Sequence, residues 1–197
     1  MTETRRRGRP GLNLDAVVEG SVEVFNTRGF DGTSMEDVAR QLGITKSAVY
    51  HHISSKDALL GLALDHALSG LEDAAHDART ADAPAGERLE LLVRRSVAVL
   101  VERLPYVTLL LRVRGNSAVE RQALDRRREI DHLAAELVER AVADGELRAG
   151  LDPAVTARLL FGTVNSLTEW LRPGAKHDAA ELADRVTSMA FDGLRHG

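Results

Sequence analysis

Residues 33–52 read TSMEDVARQLGITKSAVYHH, and they decide the fold. Thr33 and Glu36 have capping-box spacing, which predicts the start of a helix. Met35, Val38, Ala39 and Leu42 then recur every three or four residues, one apolar face of about two turns. Gly43 ends that helix, and Thr45 is placed to cap a second short one running through Val49 to His52. Two short helices joined by a tight glycine turn are the sequence form of a helix-turn-helix. The major groove of B-DNA, ~12 Å wide, admits one helix, and a partner helix across the backbone must aim it. Val38, Leu42, Ile44 and Val49 face a preceding helix, with Ala39 small enough for a close crossing. That leaves Thr45, Lys46, Ser47, Tyr50 and His51 pointing outward, and Lys56 opening the next helix near a phosphate. Spacing alone equally fits an ordinary three-helix subdomain, and Tyr50 could be a packed core ring.

Outward from this stretch the chain reads as helices throughout. Asn13 can cap a first helix that turns Leu14, Val17, Val18, Val22 and Phe25 inward and stops at Gly29. Ser54, Ser55 and Asp57 start a long helix from about Lys56 to Arg79. Thr80 to Gly86, with Pro84, reads as a loop. Further helices are expected from about Glu87 to Arg103, Pro105 to Arg114, Val119 to Asp144, Pro153 to Leu171 and Ala179 to Arg195, with Asp152 and Asp178 as N-caps. No strand-like alternation or internal repeat interrupts the pattern.

The 197-residue chain has no Cys, which removes disulfides, thiolate metal sites and Cys nucleophiles and fits a reducing cytoplasm. No apolar run approaches the ~20 residues that span a membrane, and no apolar segment follows the N-terminal arginines as it would in a signal peptide. The net charge of −4 argues against a polyanion partner, but Arg5, Arg6, Arg7 and Arg9 concentrate positive charge at one end.

The run from Phe25 through Gly29-Phe30 and Thr33-Ser34 to Val38-Ala39 resembles the helix-turn-helix signature of TetR-family repressors. Gly43-Ile44-Thr45 through Tyr50-His51-His52 to Lys56-Asp57-Ala58-Leu59-Leu60 is similar to the rest of that signature. The likeness covers about Leu14 to Leu60, with Ile53 standing where the family usually has Phe. It implies an all-α, Ω-shaped homodimer of about nine helices: a basic arm over 1–11, a helix-turn-helix DNA-binding domain over 12–58, and a ligand-binding and dimerisation domain over 59–197. It also implies that Thr33 or Ser34 meets phosphate, that Thr45, Lys46, Ser47, Tyr50 and His51 meet bases or backbone, and that Lys56 meets phosphate. Arg5-Arg6-Arg7-Gly8-Arg9-Pro10 resembles the core of a minor-groove AT-hook, with a passive arm as the competing reading.

The second half is less decisive. Leu104, Val107, Leu109, Leu110, Leu111 and Val113 form an apolar stretch that could line a pocket or only a core. Phe161 to Gly174, with Asn165 and the sole Trp at Trp170, resembles the penultimate helix of a TetR subgroup that includes regulators of steroid-ring and aryl-acetate breakdown, several of which sense acyl-CoA thioesters. The ligand residues expected on this basis are Leu104, Leu110, Arg114, Phe161, Asn165 and Trp170, although Trp170 could instead anchor a core or a dimer. Arg126-Arg127-Arg128 could meet CoA phosphates or be a solvated face. Gly162, Ser166 and Gly193, with the stripe Leu182, Val186 and Met189, suit packing against a second copy or within one.

Neither rival class finds its motif. No phosphate loop, nucleophile elbow or zinc motif is present, and neighbouring His51 and His52 point about 100° apart, a poor chelate. Glu129 and His132 share a helix face but supply at most two ligands. A helical interaction module would explain the helices but not the outward Thr45 to His51 set. The expectation is therefore a cytoplasmic transcriptional repressor without catalytic residue, metal or cofactor. It would bind a palindromic double-stranded operator as a homodimer and be released by a small molecule.

Overall fold

The computed structural model describes residues 13–172 and 178–195. Among these are nine α-helices and no strand. They are α1 (Leu14–Arg28), α2 (Met35–Leu42), α3 (Lys46–His52), α4 (Lys56–Thr80), α5 (Ala85–Glu102), α6 (Leu104–Arg112), α7 (Ala118–Ala143), α8 (Pro153–Trp170) and α9 (Ala179–Arg195). The helices fall into two compact units that divide between Ala63 and Leu64, within α4.

The first unit is the three-helix head with the start of α4. Asn13 caps α1 by accepting from the Ala16 N–H at 2.9 Å. Val17, Val18, Val22 and Phe25 are then buried, one α1 face toward α2 and α3. α2 begins one residue later than the Thr33–Glu36 spacing suggests. Its capping box pairs Ser34 with Asp37: the Asp37 N–H donates to Ser34 Oγ, and the Ser34 N–H donates to Asp37 Oδ2 at 3.0 Å. Thr33 is buried instead and donates its hydroxyl to the Gly29 carbonyl at 2.7 Å. Gly43 closes α2 at φ +65°, a left-handed turn that needs the missing Cβ. A second small residue governs the packing. The Leu42 side chain lies where a Cβ on Gly20 of α1 would stand, so α1 and α2 approach at Gly20 as well as at buried Ala39.

The second unit is built around α5, which packs against α6, α7, α8 and α9. Leu89, Leu92, Val93, Ser96, Val97 and Leu100 are all buried along it. No side chain at Pro84 caps this helix. The Glu146 carboxylate, from the turn after α7, does so by accepting from the Ala85 and Gly86 N–H groups at 3.1 and 2.9 Å. A Cβ at Gly86 would stand 2.8 Å from Glu146 Oε2, so glycine admits the carboxylate.

A second carboxylate organises the link from α6 to α7. Glu120 is buried, and one of its oxygens accepts from the N–H groups of Arg114, Gly115 and Asn116 at 2.8, 2.8 and 3.1 Å. Leaving three part-buried backbone donors unmet is costly. Glu120→Ala should therefore lower stability by about 2 kcal/mol, with Glu120→Gln, which keeps an acceptor, losing less. Chemical denaturation monitored by helical signal measures this. A midpoint unchanged in the alanine variant would show that water replaces the carboxylate at no cost.

Candidate nucleic-acid interface and ligand cavity

The head presents its second short helix from a rigid frame. Thr45 caps α3 by accepting from the Ala48 N–H at 3.2 Å, and Val49 is fully buried beneath it. The opposite side carries Thr45, Lys46, Ser47, Tyr50 and His51, all exposed, with Tyr50 at 46%. Tyr50 is thus a surface ring and not a core one. Lys46 pairs with Glu36 of α2, and its ammonium lies 6.0 Å from the centre of the Tyr50 ring. The Lys46 hydrogen bond depresses the Glu36 carboxyl and raises the lysine in return. Any anion that takes Lys46 must therefore compete with Glu36.

Two residues expected at phosphate have partners within the head. Thr33 is buried and spends its hydroxyl on Gly29, so it is part of the interior. Lys56 is turned inward: its ammonium donates to the Phe30 and Thr33 carbonyls at 2.8 and 2.9 Å and sits 4.3 Å above the Phe30 ring. It ties the α1–α2 turn to the start of α4. Ser34 is exposed, but its hydroxyl and N–H are both engaged with Asp37. Arg5, Arg6, Arg7 and Arg9 lie outside the described residues.

The second unit holds a narrow cavity of about 30 Å³. Leu71 of α4, Leu100 of α5, Val107, Leu110 and Leu111 of α6, Ile130 of α7, and Phe161 and Val164 of α8 give it an apolar wall. Its polar groups are Ser96, Arg127, Asp131 and Asn165. Of the six ligand residues expected from sequence, Leu110, Phe161 and Asn165 come together here. Leu104 is buried elsewhere, Arg114 is exposed beside the Glu120 turn, and Trp170 is 49% exposed; none of the three lines the cavity. Sequence reasoning missed Leu71, Ser96 and Ile130, because a residue on the inner face of one helix carries no mark of which neighbour it meets.

The arginine run splits three ways. Arg126 grips α4, with Nε and Nη2 on the two Glu72 oxygens at 2.6 and 2.8 Å and Nη1 on Asp65. Arg128 pairs with Asp125, and Arg127 alone lines the cavity. α6 also holds α4 through His66, which stacks on the Tyr106 ring at 4.9 Å. Beside it, Arg103 donates to the His66 carbonyl and, at 3.0 Å, to Ser69 Oγ.

Of the residues expected at a dimer face, Gly162, Ser166, Met189 and Gly193 are exposed, Leu182 is half-buried, and Val186 is buried within the protomer. Val186 is therefore a core residue. The exposed α8 stripe also contains Val155 and Leu159, at 50% and 67%. Those two follow the same helical spacing as Gly162, Ser166 and Trp170, which was the available signal.

The model for "Bacterial regulatory proteins, tetR family" matches residues 17–63, and that for the "Tetracyclin repressor-like, C-terminal domain" matches residues 82–194. The chain belongs to the TetR family. It is a DNA-binding transcriptional regulator of that kind. A TetR-family member of known structure, SCO3833 from Streptomyces coelicolor A3, is 43% identical with a TM-score of 0.83, covering 100% of this chain and 96% of its own. The HTH-type transcriptional repressor KstR2 of Rhodococcus jostii (strain RHA1) is 26% identical over 95% of this chain and 93% of its own length. AibR, solved in complex with isovaleryl coenzyme A and operator DNA, is 25% identical with a TM-score of 0.75, covering 90% of this chain and 97% of that one. Among the described residues no helix is long and apolar enough to cross a membrane.

This TetR-family head depends on Asp37. The side chain and then the backbone of Ser34, with Arg40 and Arg28 adding to them, hold its carboxyl down to about 2 from the usual 3.8. A carboxyl depressed by folding contributes stability that is complete above its unfolded value and is lost as pH falls through the folded one. Asp37→Asn should flatten the acid limb of melting temperature against pH between 3.8 and about 2. Parallel acid limbs for variant and parent would remove Asp37 from the head's acid response.

Proposed function

We propose that this chain is a homodimeric repressor that leaves a palindromic operator when an acyl-CoA thioester enters the cavity of its second unit. The observation that carries the reading is that cavity: an apolar wall from five helices with a few polar groups at its edge. The chain's fold is shared with AibR, which was solved in complex with isovaleryl coenzyme A and operator DNA. The repressor role is supported by the likeness to KstR2 over nearly the whole of both chains.

Thr45, Lys46, Ser47, Tyr50 and His51 are the residues we assign to the operator, on the exposed face of α3. A helix of this size enters one major groove, and a two-fold dimer sets two such helices ~34 Å apart or at a multiple of that. The exposed α8 stripe Val155, Leu159, Gly162, Ser166 and Trp170, with Met189 and Gly193 on α9, supports a second copy as the partner. Small residues at its centre permit close helix approach.

Release follows from the cavity's size. A volume of about 30 Å³ is far below the ~300 Å³ of a typical ligand pocket, so binding must part the walls. Leu71 is one wall, and it lies on α4. Arg103, Tyr106 and Arg126 bind α6 and α7 to α4 between Asp65 and Glu72. α4 is continuous from these residues back to Lys56, so movement of the walls is carried along it. The ligand shifts the population only by its differential affinity for the released state, and near-complete release requires a few kcal/mol.

The test uses an operator selected by the purified protein from random duplexes. Isovaleryl-, octanoyl- and phenylacetyl-CoA, added in turn, should weaken binding at least about tenfold for the matching thioester and change Trp170 emission, while CoA alone does neither. A panel without effect on either signal would replace the thioester by a small lipophilic or aromatic inducer. Independently, Lys46→Ala with Tyr50→Ala should remove operator binding, since each lost contact costs ~1–3 kcal/mol, while helical content and dimerisation persist. A double variant that shifts the operator at the parent's concentration would displace α3 as the reading helix.

A further inference from the structure

The cavity's polar edge is chemically unbalanced in a way that specifies its ligand. Arg127 and Asn165 are half-buried and line the cavity, and neither side chain has a hydrogen-bond partner among the described residues. Ser96, by contrast, has already given its hydroxyl to the Leu92 carbonyl at 2.7 Å. The other arginines of the run are committed, Arg126 to Asp65 and Glu72 and Arg128 to Asp125. A guanidinium and a carboxamide facing an apolar cleft ask for an acceptor oxygen on the occupant.

Arg127 alone would favour an ionised carboxylate, the strongest acceptor a fatty or aryl acid offers. Asp131 opposes that preference. It lines the same cavity four residues along α7, one helical turn from Arg127, and projects from the same face. Desolvation pushes its carboxyl above the usual value, and Arg127, His132 and Arg158 are the cations that pull it back down. The Arg127–Asp131 neighbourhood therefore offers hydrogen-bond donors with its positive charge offset. Such a site accepts a carbonyl oxygen but sets an anionic head against a fixed negative charge, and discrimination of this kind rests on a repulsive element.

We propose that Asp131 is a specificity-determining residue that makes the cavity select neutral acyl derivatives, thioesters or esters, over the corresponding free carboxylates, with Arg127 and Asn165 donating to the acyl carbonyl oxygen. The inference rests on the proposed role of this cavity as the effector site, but its test does not need coenzyme A. Methyl octanoate and octanoate share a chain and differ in head charge. Titrated calorimetrically into the full-length protein, the ester should bind at least about tenfold more tightly than the acid. Asp131→Asn, a neutral isostere at an exposed position, should narrow that ratio about tenfold through tighter binding of the acid, with the melting temperature unchanged. Arg127→Met should weaken both ligands, and Asn165→Leu the ester. Equal binding of ester and acid by the parent, binding of neither, or an unchanged ratio in Asp131→Asn would overturn the proposal. Operator release distinguishes the two ideas. If the ester–acid preference responds to Asp131 while no acyl-CoA loosens the operator, charge selection stands and the thioester inducer falls.

Discussion

Burial of α5 is the constraint on which the second unit depends. α6, α7, α8 and α9 all pack against it, so each finds in α5 the apolar surface that its own amphipathic face requires. Helices of this length gain most of their stability from such packing and little from intrinsic propensity. The start of α5 has no side-chain cap from Pro84. Glu146, about sixty residues further along the chain, supplies the missing acceptor. The same helix contributes Ser96 and Leu100 to the cavity, so cavity and core share one axis.

Carboxylates on backbone N–H groups recur as the polar solution to this helical economy. Asp37 closes the start of α2, Glu120 gathers three N–H groups before α7, and Glu146 caps α5. Helix starts carry unpaired donors and partial positive charge, and an anion meets both needs. The three differ in reach. Asp37 and Glu120 act within a few residues, whereas Glu146 acts across the fold.

The arginines show how tertiary context divides chemically identical residues. Arg126 meets Glu72 with two nitrogens on two oxygens, a geometry that fixes α7 against α4. Arg128 stays within its own helix, a pair of small consequence. Arg127, between them, points to the cavity. Rotation of about 100° per residue sends three neighbours in three directions, and only what stands in each direction gives them different roles.

The sequence by itself determined the helical class, the short α2 and α3 around Gly43, and the exposed Thr45 to His51 face. These are set by contacts within a few residues: caps, a left-handed glycine, and apolar spacing at the helical period. It also placed the start of α2 one residue early, because Thr33 and Ser34 both have a capping side chain and an acid three residues on. Burial of Thr33 against Gly29 decided between them. Lys56 read as an exposed cation, yet it closes the head by binding two carbonyls more than twenty residues away. Leu104 and Trp170 have the composition of pocket residues and lie outside the cavity, while Leu71 and Ile130 look like any core residue and line it. Periodicity tells which face of a helix turns inward. Which helix it meets there is fixed only when the chain has folded, because that depends on contacts between segments far apart in sequence.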